Sequence, residues 1–312
     1  MTLTDLRYIV ALARERHFGR AAEKCCVAQP TLSVAVKKLE EQLGVVLFER
    51  GAEVSLTPIG EQIVAQAQRV LAEAGRIPEL AAQGRDALSG PLRIGVIYTI
   101  APYLLPTLVP LLRERAPQMP LVIQEGFTEK LVAAVKAGDL DVIVIALPLN
   151  ETGLVSQPVY EEAFRVLLPA QHAWAGQQTI APTALLGEPL LLLGAGNCFR
   201  DQVLDLCAHA NAATTAATAG AESPQVLEGS SLETIRYMVA SGLGISVMPA
   251  SSADRIPPDD ALLRVRPFAE PTPTRCVGLA WRTSFPRHGA IDLMRQALLD
   301  SRLPGTRPVE IR

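Results

Sequence analysis

No stretch of this sequence approaches the roughly 18 consecutive apolar residues that a membrane span requires. Asp5 and Arg7 interrupt the N-terminus before the apolar segment of a secretory signal could form, so the expected compartment is the cytoplasm. A charge excess of either sign is also missing: 29 Lys and Arg stand against 32 Asp and Glu, a net of −3. Phosphate-cradling glycine motifs are absent, and Gly194-Ala195-Gly196 lacks the third glycine of a dinucleotide fingerprint. No nucleophile-elbow serine occurs. The four histidines (17, 172, 209 and 288) are scattered, none at metal-ligand spacing with cysteine or carboxylate. These gaps leave no basis for a metal, a cofactor or an enzyme. Five cysteines without an extracellular address are expected reduced, so a disulfide here would be regulatory or catalytic.

What is present is a chain of 312 residues, 49% hydrophobic, long enough for two or three folding units. Leu3, Leu6, Ile9, Val10 and Ala13 fall at helical spacing, and a short helix fits Phe18 to Cys25. A third helix starts at Gln29 with Pro30 in its first turn, carries Leu32, Val36, Leu39 and Leu43 on one face, and stops at Gly44. Val45 to Phe48 and Val54 to Leu56 read as two short strands around Gly51, a wing. Thr57 caps a helix with Pro58 behind it. Its narrow apolar line, Ile59, Ile63, Ala67, Val70, Leu71, Ala74 and Ile77, suits a dimerisation seam until Pro78, where a kink or break is expected.

After Ser89-Gly90-Pro91 strands and helices alternate. Strands are expected at 92–97, 121–124, 142–147, 165–168, 190–193 and 245–248, and helices at 102–115, 129–137, after Cys198 and at 232–241. This rhythm predicts βαβ units and a mostly parallel sheet in two α/β lobes. The fold class is α/β, with boundaries at 1–57 (winged helix-turn-helix), 58–90 (linker helix) and 91–312 (two-lobed sensor). Lobe I is expected at about 91–163 and 270–303, and lobe II at about 164–269.

A helix-turn-helix presents the first turns of its second helix to base edges. Gln29, Pro30, Thr31 and Ser33 occupy those turns, Lys37 and Lys38 follow, and Arg50 on the wing suits a flanking phosphate. The first 57 residues carry eight basic against seven acidic side chains, so the case rests on pattern rather than charge. The wording Phe18-Gly19-Arg20-Ala21-Ala22, Gln29-Pro30-Thr31-Leu32-Ser33, Leu39 to Val45, Leu47-Phe48-Glu49-Arg50 and Leu56-Thr57-Pro58-Gly60 resembles the LysR-type transcriptional regulators. That resemblance implies promoter DNA and RNA polymerase as partners. It also implies a dimerising linker helix, a periplasmic-binding-protein-like sensor of two lobes, and a homodimer assembling to a homotetramer. Val34 and Ala35 stand where many members carry a polar or basic residue.

In the second half, Thr99 and Thr128 follow strands, where two-lobed sensors bind small molecules; taken singly, each reads as a helix cap before a ligand contact. Cys198 opens a helix whose N-terminal amides, with Arg200 nearby, favour a thiolate. Cys207 lies nine positions on, which on a continuous helix is ~13.5 Å of rise and half a turn out of phase. A disulfide needs Cα atoms within roughly 7 Å, so bond and helix exclude each other. The residues alone leave two readings: a switch, or two small helix residues, one capping and one buried. Cys25 and Cys26 read as packing residues.

The strings Gly196-Asn197-Cys198-Phe199-Arg200-Asp201-Gln202 to Cys207, Gly95-Val96-Ile97-Tyr98-Thr99, Ser231 to Arg236 and Met238 to Gly244 resemble the peroxide-sensing members of the same family over nearly the whole chain. By that resemblance Cys198 is oxidised by hydrogen peroxide and Cys207 resolves it into a disulfide, later reset by a reducing thiol system of glutaredoxin or thioredoxin type. Thr99 and Thr128 hold the peroxide, with Asn197 and Asp201 beside the pocket and Arg275 supporting the thiolate. Asn197 stands where relatives often carry histidine, and Cys276 is an extra thiol next to Arg275. Two other functions compete: a LysR-type regulator answering a small organic effector between the lobes, and a thiol peroxidase whose helix-turn-helix is incidental.

Overall fold

A computed structural model describes residues 1–50, 54–83, 88–215 and 226–309. The chain divides into Met1–Arg85 and Asp86–Arg312.

The first unit packs helices α1 (Leu3–Glu15), α2 (Phe18–Lys24) and α3 (Gln29–Leu43), a hairpin of β1 (Phe48–Arg50) and β2 (Val54–Leu56), and the long α4 (Pro58–Gln83). Thr2 and Asp5 form a reciprocal capping box at α1, satisfying amides the helix itself leaves open. Gly44, at φ 71°, ends α3 in the left-handed conformation that costs glycine least. Leu6, Ile9 and Leu12 meet Ala21 and Ala22, whose small side chains let the helices approach, and Leu32, Val36, Leu39, Leu47 and Phe48 close the core. Glu40 on α3 accepts from the Leu47 and Phe48 amides at 2.8 and 3.2 Å, tying the wing to the helix. Thr57 Oγ1 accepts from Gly60 N at 3.0 Å, capping α4. A β-carbon at Gly60 would lie 2.1 Å from the Leu47 carbonyl oxygen, so only glycine allows this approach.

Three expectations change here. Val45 to Leu47 stay outside the strand, which begins at Phe48, and the wing tip at Gly51 lies outside the described residues. Of the kink or break expected at Pro78, the break does not occur: α4 continues to Gln83, because a proline removes one amide from the ladder without dissolving the turns on either side. Cys25 packs against the core, but Cys26 is exposed at φ 54° and is no packing residue.

The second unit runs β3 (Leu92–Ile97), α5 (Ala101–Arg115), β4 (Leu121–Gly126), α6 (Thr128–Ala137), β5 (Val142–Leu147) and β6 (Leu154–Pro169). After a 3₁₀ turn at Pro182–Gly187 come β7 (Leu190–Leu193), α7 (Cys198–Thr215), β8 (Val226–Gly229), α8 (Leu232–Ala240), β9 (Ile245–Pro249) and the short α9 (Ala250–Ala253). The unit closes with β10 (Leu263–Pro267), β11 (Thr274–Arg282), α10 (His288–Asp300) and β12 (Thr306–Pro308). The strands follow the order β4-β3-β5-β11-β6-β9-β7-β8, with β10 and β12 also on β6.

The sheet is parallel only inside each lobe: β3 with β4 and β5, and β7 with β8 and β9. Every pairing of β6 and β11 is antiparallel, which corrects the expected mostly parallel sheet. The reason lies in connectivity. A chain that crosses between lobes and returns must run one strand against the other. On β6 the partner changes from β11 at Ala163 to β9 at Phe164. Two cores flank this point, one on Leu104, Leu108, Ile143 and Met294, the other on Leu167, Leu191, Ile235 and Val247.

Tyr103 crosses the divide. It is carried by α5 yet packs in the second core. Its hydroxyl donates to Glu233 Oε1 at 3.2 Å, and its carbonyl accepts from Arg255 Nη2 at 2.6 Å. Burial, with the Glu233 carboxylate adding to it, pushes the phenol up to about 12, so it stays a donor at neutral pH.

Candidate functional site

The carboxyl ends of β3, β4 and β7 point the segments 97–99, 126–128 and 196–198 at one another. The resulting pocket, small and partly open, encloses about 10 Å³ and is lined by Ile97, Tyr98, Thr99, Gly126, Phe127, Thr128, Gly196, Asn197 and Cys198. Strand ends meeting helix N-termini are the usual ligand position in α/β sheets. Gly196, at φ 88°, makes the turn that delivers Cys198 to the first residue of α7. Asn197, nearly buried, steadies that turn by donating from Nδ2 to the Gly194 carbonyl at 2.9 Å. Cys198 is half-buried and touches the first lobe's core from a helix of the second.

Neither threonine acts as a cap. The residue before α5 is Ile100, and Thr128 is already helical, preceded by Phe127 without a side-chain cap bond. The two hydroxyls are therefore left to the pocket. Thr99, buried, accepts on Oγ1 from Arg275 Nη1 at 2.9 Å, which leaves its own proton free to donate. Thr128 Oγ1 is buried and has no partner. An orphaned buried hydroxyl costs about 1–3 kcal/mol and calls for an explanation.

Arg275 does not line the pocket. Its guanidinium is committed elsewhere, with Nε and Nη2 at 2.8 and 2.7 Å from Glu162 Oε2 and Nη2 at 3.2 Å from the Thr99 carbonyl. Both charged side chains are wholly buried, and Glu162 Oε1 also accepts from Ser251 N at 2.9 Å. The Phe199 ring lies 5.2 Å from the Arg275 guanidinium carbon and packs edge-on to Phe164. Arg275 therefore reaches the pocket only by holding Thr99, one of its lining residues. Asp201 is exposed on the first turn of α7 and outside the pocket. Arg200 turns away too: it donates to the Leu193 carbonyl at 2.8 Å and pairs with Glu228 at 2.5 Å.

Two residues escaped the sequence reading. Glu162 fixes Arg275, and Gln202, one helical turn after Cys198, has a buried Oε1 without a partner. The i, i+4 spacing from the cysteine was the available signal for Gln202.

All five cysteines are free thiols, and α7 is continuous through both Cys198 and Cys207. Cys207 is buried among Phe199, Val203 and Ala210, and burial pushes its thiol up. Burial and the nearby Glu161 raise Cys276 as well. Dithionitrobenzoate at pH 8 is expected to label Cys26 quickly in the native reduced protein and to reach Cys207 only when the unit opens. Fast native labelling of Cys207 would contradict this burial.

On α3, Gln29, Pro30, Thr31, Lys37 and Lys38 are exposed, while Ser33 is half-buried and faces the base edges less openly than expected. Lys37 lies 3.8 Å from Glu41, a weak exposed pair that a phosphate readily replaces. Arg50 is placed by its backbone in β1, and its side chain lies outside the described residues.

The family model for the LysR-family bacterial regulatory helix-turn-helix matches residues 3–61, and that for the LysR substrate-binding domain matches residues 85–302. The chain belongs to the LysR family. Members of this family are DNA-binding transcription regulators of α/β fold with an N-terminal helix-turn-helix, as this chain is. The LysR relatives most like it include the Escherichia coli K12 protein named DNA-binding transcriptional dual regulator OxyR, 37% identical over 96% of this chain and 95% of that one. Among solved structures, a full-length Pseudomonas aeruginosa OxyR variant is 49% identical with a TM-score of 0.81, covering 100% of this chain and 99% of that one. A Corynebacterium glutamicum OxyR cysteine-to-serine variant with hydrogen peroxide bound is 34% identical with a TM-score of 0.64, covering 96% and 92%. Among the described residues of this LysR-family chain, no helix is long and apolar enough to cross a membrane. Nor do three or more His, Cys, Asp or Glu converge there as a metal site would need.

Proposed function

We propose that this chain is a hydrogen-peroxide-sensing activator that binds promoter DNA and switches through Cys198 and Cys207. The observation that carries the proposal is the orphaned Thr128 hydroxyl, buried beside Cys198 in a pocket shared with Thr99. Two small donors flanking a sulfur at a helix N-terminus suit a ligand of two oxygen atoms. A typical organic-ligand pocket encloses about 300–1,000 Å³, whereas the enclosed space here is about 10 Å³, room for a guest near the size of water and not for an organic effector. The resemblance to peroxide-bound and peroxide-named relatives points the same way.

In the first step the Cys198 thiolate attacks one peroxide oxygen. The O–O bond breaks, sulfur is oxidised to a sulfenic acid, and the leaving hydroxide takes a proton to become water. Thr99 and Thr128 donate to the peroxide oxygens, and Thr99 is poised by Arg275. In the second step the Cys207 sulfur attacks the sulfenic sulfur, the S–O bond breaks and a second water leaves. Because the two cysteines stand about 13.5 Å apart along α7, the disulfide forms only after the N-terminal turns unwind. Phe199 then leaves Phe164 and Arg275. The unwound segment changes contacts within a homotetramer built from homodimers, respaces the DNA-binding units and recruits RNA polymerase. A cytoplasmic glutaredoxin- or thioredoxin-type system reduces the bond. The N-terminal helix-turn-helix favours a regulator over a thiol peroxidase, whose chemistry at sulfur would be the same.

Mass spectrometry after a sub-stoichiometric peroxide pulse tests the pairing. The expected product is a Cys198–Cys207 crosslink, and pairing through Cys276 instead would overturn it. Thr128→Val tests the pocket. Stopped-flow oxidation of Cys198 should slow about tenfold, the worth of one hydrogen bond at ~1–1.5 kcal/mol. The melting temperature should hold or rise, because an unsatisfied polar atom is gone. An unchanged rate would remove Thr128 from the site.

A further inference from the structure

The α3 helix carries an apolar side chain at the summit of its exposed face. Val34 is 67% exposed, the most exposed apolar side chain on α1, α2 and α3. At about 100° per residue, the buried Leu32, Val36 and Leu39 lie within about 40° of the direction opposite Val34, while Pro30, Thr31, Lys37 and Lys38 lie within about 60° of Val34 itself. Among the described residues nothing in the first unit covers it; its neighbours within one turn on this face are polar, basic or proline, and the exposed Glu41 lies two turns on, paired with Lys37. A helix laid in the major groove through this face puts Val34 deepest, with Lys37 and Lys38 rising toward the phosphates on either side.

Valine offers no donor and no acceptor. The one apolar group on a base edge in the major groove is the C5-methyl of thymine, and side chains read it by apolar contact. We infer that Val34 is a specificity-determining residue that reads a thymine methyl in each half-site. The inference rests on the DNA-binding reading above and adds which base α3 selects and by which contact. Thr31 supplies a hydrogen bond to another edge, Gln29 and Ser33 flank this face at the start of α3, and Val34 with the ring of Pro30 forms its apolar part.

The test uses the full-length reduced protein and duplexes it selects from a random library. Each selected half-site is then rebuilt with deoxyuridine in place of thymine, one position at a time, which deletes the methyl and nothing else. At one position per half-site the wild type should lose about three- to fivefold in affinity, the worth of one buried methyl. Val34→Ala should bind the thymine and deoxyuridine duplexes equally, within twofold, while Lys38→Ala should weaken both and keep the discrimination. The inference is overturned if no single thymine-to-deoxyuridine change matters to the wild type. It fails equally if Val34→Ala keeps the full methyl preference. Failure to select any sequence would instead sink the DNA-binding reading beneath it. Val34 is exposed and helical, so alanine there leaves the melting temperature unchanged and the comparison sound.

Discussion

Cys198→Ser is expected to abolish the transcriptional response to peroxide while leaving DNA binding intact. A serine hydroxyl has nearly the volume of the thiol, so it sits at the head of α7 against the same core neighbours and keeps the helix wound. It is not nucleophilic toward peroxide, so the first oxidation stops. Neither Cys207 nor Cys276 substitutes for it. Cys207 is buried with its thiol pushed up, and a protonated thiol is a poor nucleophile. Cys276 is likewise raised. The variant should therefore show only the slow background oxidation of ordinary thiols and stay in its reduced DNA-binding form at peroxide levels that convert the wild type. Gel shift with and without peroxide, paired with intact-mass analysis, reads both halves. Cys207→Ser should separate the two chemical steps: Cys198 still reaches sulfenic acid, which dimedone traps, and no disulfide follows. A Cys198→Ser protein that still switches with peroxide would leave a LysR-family regulator of unknown cue.

The second large effect is expected from Glu162→Ala, which should destabilise the sensor unit by about 3–5 kcal/mol. Glu162 and Arg275 have no solvent exposure, so removing the carboxylate strands a guanidinium in the protein interior. It also takes the acceptor from Ser251 N. At ~2–4 °C per kcal/mol for a unit of this size, the melting temperature should fall by roughly 10 °C. Glu162→Gln keeps the shape and one hydrogen-bond acceptor and should cost less. Because Arg275 holds Thr99, both variants should also slow Cys198 oxidation. A drop under 1 kcal/mol, measured by calorimetry, would mean that water or another acceptor reaches Arg275 once Glu162 is gone.

The helices of the helix-turn-helix were legible because their signals are local: proline in the first turn of α3, Gly44 at its end, and an apolar line of period 3.6. The β6 strand was only partly legible. From Leu154 to Tyr160 its burial does not alternate, and Pro158 lies within it, so its first half looks like loop. Its role depends on β11, more than a hundred residues away in sequence. The cysteines were visible as a spacing and became a switch only through resemblance. Thr99 and Thr128 line the pocket, but that Arg275 holds one hydroxyl and nothing holds the other is a tertiary fact. Asp201 was placed beside the pocket by resemblance alone, and it lies in solvent. Glu162 was overlooked because Glu161-Glu162 reads as surface. Counting by twos from Tyr160 to Phe164 puts Glu162 on the inward face, and a carboxylate there demands a buried cation on a neighbouring strand.

The β6 strand passes from one lobe to the other without a break, bonded to β11 below Phe164 and to β9 and β10 beyond it. A clamshell needs soft joints, a few loop residues that absorb rotation when a guest arrives. Here bending at the midpoint would shear a hydrogen-bonded ladder across three neighbours, and Tyr103 would have to be pulled from the opposite core. The body is braced against closing as a jaw. Its signal must then leave through the piece that can let go, the first turns of α7, while the frame that carries them stays still.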